Sequence, residues 1–109
     1  MDVNAPRVLI VEDDENINNL LRVALTKHGL NCVQAFSGTE GLIVFKNDKF
    51  DLVLLDLMMP GMDGQTLTQR IREVSQVPII IVSAKSSVDS KVDLLTSGAD
   101  DFVGKPFEL

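Results

Sequence analysis

Apolar residues fall into two alternating patterns along this chain. Apolar runs rich in valine, isoleucine and leucine recur at residues 8–11, 32–36 (where Gln34 interrupts), 52–55 and 79–82, with a weaker one at 101–103. A short run without a polar break suits a strand whose sheet is covered on both faces. The stretches between the runs carry helical spacing instead. Ile17, Leu20, Leu21, Ala24 and His28 follow the i, i+3, i+4, i+7 pattern, and Gly29 stands where a left-handed C-terminal cap is expected. The segment Ser37-Gly38-Thr39-Glu40 has the form of a capping box and predicts a helix running through Leu42 and Phe45. Asp63-Gly64 precedes a third helix with Leu67, Ile71 and Val74 on one side, and Ser86-Ser87-Val88-Asp89 opens a fourth that stops at Gly98.

Strand and helix therefore alternate throughout, which requires right-handed βαβ crossovers and a parallel sheet with helices on both faces: an α/β fold. A length of 109 residues suits one domain. A closing helix is expected after the fifth strand, yet the sequence stops at Leu109. We therefore expect a single domain over 1–109 that is cut before its final helix, with one sheet face left for more chain or a partner to cover.

Composition narrows the partners. Ten Lys and Arg against sixteen Asp and Glu give a net charge of −6, which repels phosphate backbones, and the absence of Trp and Tyr removes most base-stacking surface. Direct nucleic-acid contact by this domain is not expected. The apolar runs fall far short of the roughly 20 residues a membrane span needs, so no membrane partner is expected either. With no basic start leading into an apolar stretch, and with Cys32 as the single cysteine, the sequence fits a reducing cytoplasm. Cys32 reads as a small buried strand residue.

The polar residues converge where such a sheet binds ligands, beyond the carboxyl ends of its strands. The first strand is followed by Glu12 and Asp13, the third by Asp56, the fourth by Ser83 and the fifth by Gly104-Lys105-Pro106. Three carboxylates within a few ångströms would repel one another unless a cation intervened. Magnesium suits the set, being a hard ion that takes one or two carboxylates and keeps waters for exchange with phosphate oxygens. Asp13 and Asp56 are the expected direct ligands, Glu12 acts through water, and a backbone carbonyl near Met58 completes the protein's share. Helix-end decoration accounts for Asp14 and Glu15, because acidic groups are favoured at a helix N-terminus. It does not account for Asp56 at the end of a Leu-Val-Leu-Leu strand.

Three blocks carry a family resemblance: Val-Leu-Ile-Val-Glu-Asp-Asp at 8–14, Phe-Asp-Leu-Val-Leu-Leu-Asp-Leu-Met-Met-Pro-Gly-Met-Asp-Gly at 50–64, and Gly-Ala-Asp-Asp-Phe-Val-Gly-Lys-Pro-Phe at 98–107. In their order and spacing the chain resembles the receiver domain of bacterial two-component response regulators, from about Arg7 to the last residue. The resemblance implies a flavodoxin-like doubly wound sheet of five parallel strands in the order 2-1-3-4-5. It implies that Asp56 accepts a phosphoryl group from a sensor histidine kinase, with magnesium and the Lys105 ammonium offsetting charge. Such a domain is a phosphoacceptor that assists its own phosphorylation and dephosphorylation. The Lys105-Pro106 motif carries a cis peptide in the family, which would aim Lys105 inward.

Ser83 is similar to the family's switch hydroxyl, beside a small Ala84 that leaves the phosphoryl group accessible. Phe102 matches its aromatic switch position. With no hydroxyl on that ring, burial alone must drive it inward. Lys91, Asp100 and Asp101 resemble positions that form intersubunit salt bridges between receivers joined to winged-helix DNA-binding domains. This implies a homodimer through the fourth helix and fifth strand, and an output domain that regulates transcription. His28 reads as a helix-closing residue.

Three rival readings are weaker. A phosphatase of the haloacid dehalogenase type needs a general acid two residues after its nucleophile, where this chain has Met58. A flavin-type cofactor binder needs a Ser/Thr/Gly-rich phosphate loop where this chain has Glu12-Asp13-Asp14. A receiver-like interaction module that signals without phosphate has no need of the set Asp13, Asp56, Ser83 and Lys105.

Overall fold

A computed structural model describes residues 5–83 and 98–104, the side chains of Ser83 and of the last strand excepted. Its elements run β1 (Arg7–Val11), α1 (Glu15–Lys27), β2 (Asn31–Ala35), α2 (Gly38–Asn47), β3 (Leu52–Asp56), α3 (Gly64–Arg72), β4 (Ile79–Ser83) and β5 (Asp101–Gly104). The strands form one sheet in the order β2-β1-β3-β4-β5, and each pairing is parallel. This is the expected flavodoxin-like order. The expected fourth helix lies outside the described residues.

The apolar runs of β1, β3 and β4 are explained by two-sided burial. On one face Leu9, Val11, Val53, Leu55, Ile79 and Ile81 pack with Phe45 of α2 and Leu67 and Ile71 of α3. The alternate residues Val8, Ile10 and Leu54 turn to the other face and meet Leu21 of α1. Successive strand side chains point to opposite faces, so only an all-apolar run can serve both cores. Burying each of these side chains is worth roughly 1.5–3 kcal/mol.

The helix ends follow local signals. Asp14 caps α1 by accepting from the Ile17 amide at 3.0 Å. Gly29 closes that helix at φ +86°, a backbone conformation that a side chain disfavours. Ser37 Oγ accepts from the Glu40 amide at 3.1 Å, while the Glu40 carboxylate reaches back to the Phe36 amide at 2.7 Å, one residue before the usual capping-box donor.

Three details depart from the sequence reading. The periodicity puts Leu20 on the inner stripe of α1, but it is 53% exposed, and the inward position is taken by Asn18 at 0%. The helix is rolled so that Ile17, Leu21 and Leu25 face the sheet, with the Asn18 amide buried beside them. The spacing puts Val74 on one side of α3 with Leu67 and Ile71, but that helix ends at Arg72 and Val74 is exposed in the turn beyond. The apolar run extends β2 to Phe36, but the strand stops at Ala35 and Phe36 is exposed.

Candidate functional site

The sheet changes winding direction at β1, with β2 on one side and β3 on the other. The loops leaving the carboxyl ends of β1 and β3 diverge to opposite faces there and open a crevice. Glu12 and Asp13 follow β1, and Asp56 is the last residue of β3. One carboxylate oxygen from each of Glu12, Asp13 and Asp56 lies within 4.8 Å of the others. Glu12 and Asp56 are buried and Asp13 is exposed. The sequence expectation that these three side chains converge is met.

This donor set fits a hard divalent ion. Magnesium–oxygen bonds of about 2.0–2.1 Å put two ligands of one octahedral ion at most about 4.2 Å apart, a small side-chain rotation from the arrangement here. Two buried carboxylates beside a third are costly without a compensating positive charge.

The loops are shaped by short-range bonds. The Asp14 amide donates to Glu12 Oε2 at 3.1 Å, which turns the Glu12 carboxylate along the loop. After β3, the Gly64 amide donates to the Leu57 carbonyl at 2.9 Å, and a Cβ on Gly64 would stand 2.3 Å from the Asp56 carbonyl oxygen. Only glycine lets α3 begin this close to the strand. Asp63 caps α3 through the Thr66 amide at 2.8 Å, and Thr68 Oγ1 donates to the Gly64 carbonyl at 2.8 Å. Met58, whose carbonyl was expected to join the metal site, is 64% exposed in this loop, while Met59 is buried in the core.

Of the other expected site residues, Ser83 ends β4, one position beyond the Asp56↔Val82 pairing and opposite Gly104. Phe102 sits in β5 opposite Ile81. The side chains of Ser83, Asp101 and Phe102 lie outside the described residues, as do Ala84, Lys91, Lys105 and Pro106. Asp100, expected at a subunit interface, is engaged within the chain. Its Oδ2 accepts from Arg72 Nη2 and from the Ile79 amide, each at 2.7 Å.

The sequence reading missed Asn18. Its Nδ2 donates to the carbonyls of Glu12 at 3.0 Å and Ala35 at 2.9 Å, and its Oδ1 accepts from Gln34 Nε2 at 2.9 Å. The available signal was a polar residue flanked by Ile17 and Leu21 on the face that α1 must bury. Away from the site, Cys32 is half-buried, and burial pushes its thiol above the ordinary value. No described helix is long and apolar enough to cross a membrane.

Comparison with known proteins agrees with this geometry. Residues 8–109 match the family model described as the response regulator receiver domain. The chain is 46% identical over 103 residues to the transcriptional regulatory protein YrkP of Bacillus subtilis, covering 94% of this chain and 44% of that protein. It is 39% identical over 103 residues to the response regulator ArlR of Staphylococcus aureus, covering 94% and 47%. The chain thus spans less than half the length of these curated relatives. Among solved structures, the receiver domain of the Francisella response regulator 1452 superposes with a TM-score of 0.91 at 35% identity, covering 94% of this chain and 86% of that one. The beryllofluoride-activated receiver domain of Klebsiella pneumoniae RstA gives 0.89 at 34% identity, covering 94% and 87%. The fold, the acidic crevice at its switch point and these matches together make the chain a member of the response regulator receiver domain family.

Proposed function

We propose that this domain receives a phosphoryl group on Asp56 from the phosphohistidine of a sensor kinase. The observation that carries the reading is the convergence of Glu12, Asp13 and Asp56 within 4.8 Å at the switch point of the sheet. An Asp56 carboxylate oxygen attacks phosphorus, the P–N bond breaks, and its electron pair returns to the histidine nitrogen. The protein's task in such a transfer is alignment and charge compensation rather than bond chemistry. Glu12, Asp13 and Asp56, with the Met58 carbonyl, would hold magnesium, which when bound neutralises charge on the phosphoryl oxygens. Lys105 neutralises from the other side, and Ser83 donates a hydrogen bond to a phosphoryl oxygen beside the small Ala84.

The new dianion shifts an existing equilibrium only through contacts that differ between two states. Ser83 drawing inward and Phe102 following it would reshape the surface of β5 and of the expected fourth helix. Names such as transcriptional regulatory protein among the relatives support a DNA-binding output domain beyond this segment. A homodimer through Lys91, Asp101 and the exposed part of Asp100 would then pair two such domains.

The test is a phosphoramidate donor with magnesium. Intact mass should rise by one phosphoryl group that survives acid and is lost in base. Failure of the mass to rise, or equal uptake without magnesium, overturns the reading.

A further inference from the structure

Resting on that functional reading, we propose that Asn18 is a positioning residue for the cation site, setting divalent affinity through the backbone that carries Glu12 and Asp13. Asn18 is 0% exposed, yet it lies in the second turn of a surface helix whose other inward residues are apolar. Its amide nitrogen bonds the carbonyl of Glu12 on the β1 side and that of Ala35 at the end of β2, while the Glu12 amide donates to the same Ala35 carbonyl at 3.1 Å. The amide oxygen is held in turn by Gln34, whose Nε2 also reaches Asn19 Oδ1 at 2.9 Å. One buried carboxamide thus ties α1, β1 and β2 together directly beneath the residues that present their carboxylates to the crevice.

Core cohesion alone does not demand this. A leucine at 18 would suit an apolar stripe, but would leave two strand-end carbonyls without that donor. What the amide supplies is a fixed carbonyl of Glu12, hence a fixed direction for the Glu12 and Asp13 side chains. Groups that orient metal ligands commonly change site affinity by 10–100-fold, and Asn18 acts on the backbone that carries two of the expected carboxylates.

The experiment titrates Mn2+ into folded protein and reads free ion by electron paramagnetic resonance, for the native chain, Asn18→Ala, Gln34→Leu and Ile71→Val. Ile71→Val is a control that loosens a remote core residue buried at 0%. Asn18→Ala should bind Mn2+ about tenfold more weakly. Gln34→Leu, which loosens Asn18 without removing it, should show a smaller loss, and Ile71→Val should bind as the native chain does. In metal-free protein, exchange of the Glu12 and Asp14 amides should speed up in the first two variants only. If Asn18→Ala fails to fold, Gln34→Leu decides. Native-like affinity in the Asn18 and Gln34 variants, or an equal loss in Ile71→Val, overturns the inference. Failure of the native chain itself to bind Mn2+ would instead count against the functional reading.

Discussion

Arg72 and Asp100 are joined across the sheet edge opposite the acidic crevice, with Nη2 2.7 Å from Oδ2. The same guanidinium donates to the carbonyl of Gly98 at 2.8 Å and to that of Val77 at 2.6 Å. It therefore clamps the end of α3 to the entries of β4 and β5. Arg72→Ala should lower stability by about 1–2 kcal/mol, because the part-buried carbonyls of Gly98 and Val77 lose a charged donor. Arg72→Lys should recover only part of this, since one ammonium cannot span acceptors that a planar fork reaches together. Urea denaturation midpoints of the three proteins check both expectations.

Gly64→Ala should cost more than a helix-favouring substitution normally would. Alanine at this position meets the Asp56 carbonyl oxygen at 2.3 Å and the Leu57 Cα at 2.7 Å. The backbone must shift, at roughly 1–3 kcal/mol, and the shift falls on the loop after Asp56. Thermal unfolding should show the loss, and Mn2+ affinity should fall with it.

Asp48 and Arg7 give an acid-side pH dependence. The hydrogen bond from the Arg7 guanidinium, joined by the Lys49 amide, holds the Asp48 carboxyl below its ordinary value of 3.8. A depressed carboxyl contributes stability that is present above its unfolded pKa and lost as pH falls through the folded one. The midpoint of thermal unfolding in Asp48→Asn should therefore lie slightly below the native chain's at neutral pH. The difference should close as pH falls below 3.8 and through the lowered folded-state pKa, and shrink with added salt, because the pair is exposed.

Cys32 gives the opposite direction. Burial raises its thiol above 9.0, against smaller lowering by Thr26 and Arg22. The thiolate is the reactive form, so alkylation by iodoacetamide should be slow at pH 8 and still be rising beyond pH 9. A plateau near neutral pH would contradict the bland reading of this residue.

Much of the fold was legible because two-sided burial leaves a plain mark, as in Val8 to Val11, where neighbouring residues serve opposite cores. The carboxylate cluster was legible too, since strand ends are visible as the point where apolar runs stop. Asn18 was not, because helical periodicity scores apolar residues and passes over a polar one whose partners are backbone carbonyls on two strands. Leu20 fits the stripe by spacing alone, but the roll of α1 turns Asn18 inward and leaves Leu20 exposed. The intrachain role of Asp100 was not legible, because its partners, Arg72 and the Ile79 amide, are 28 and 21 positions away.

The claim that Asp56 is the phosphoacceptor is tested most directly by trapping the product where it forms. After treatment with phosphoramidate and magnesium, borohydride reduction converts an aspartyl phosphate to homoserine, and peptide mass spectrometry locates it. Homoserine at position 56 alone is the predicted result. Its appearance at Asp13 or another carboxylate, with position 56 unchanged, would contradict the account.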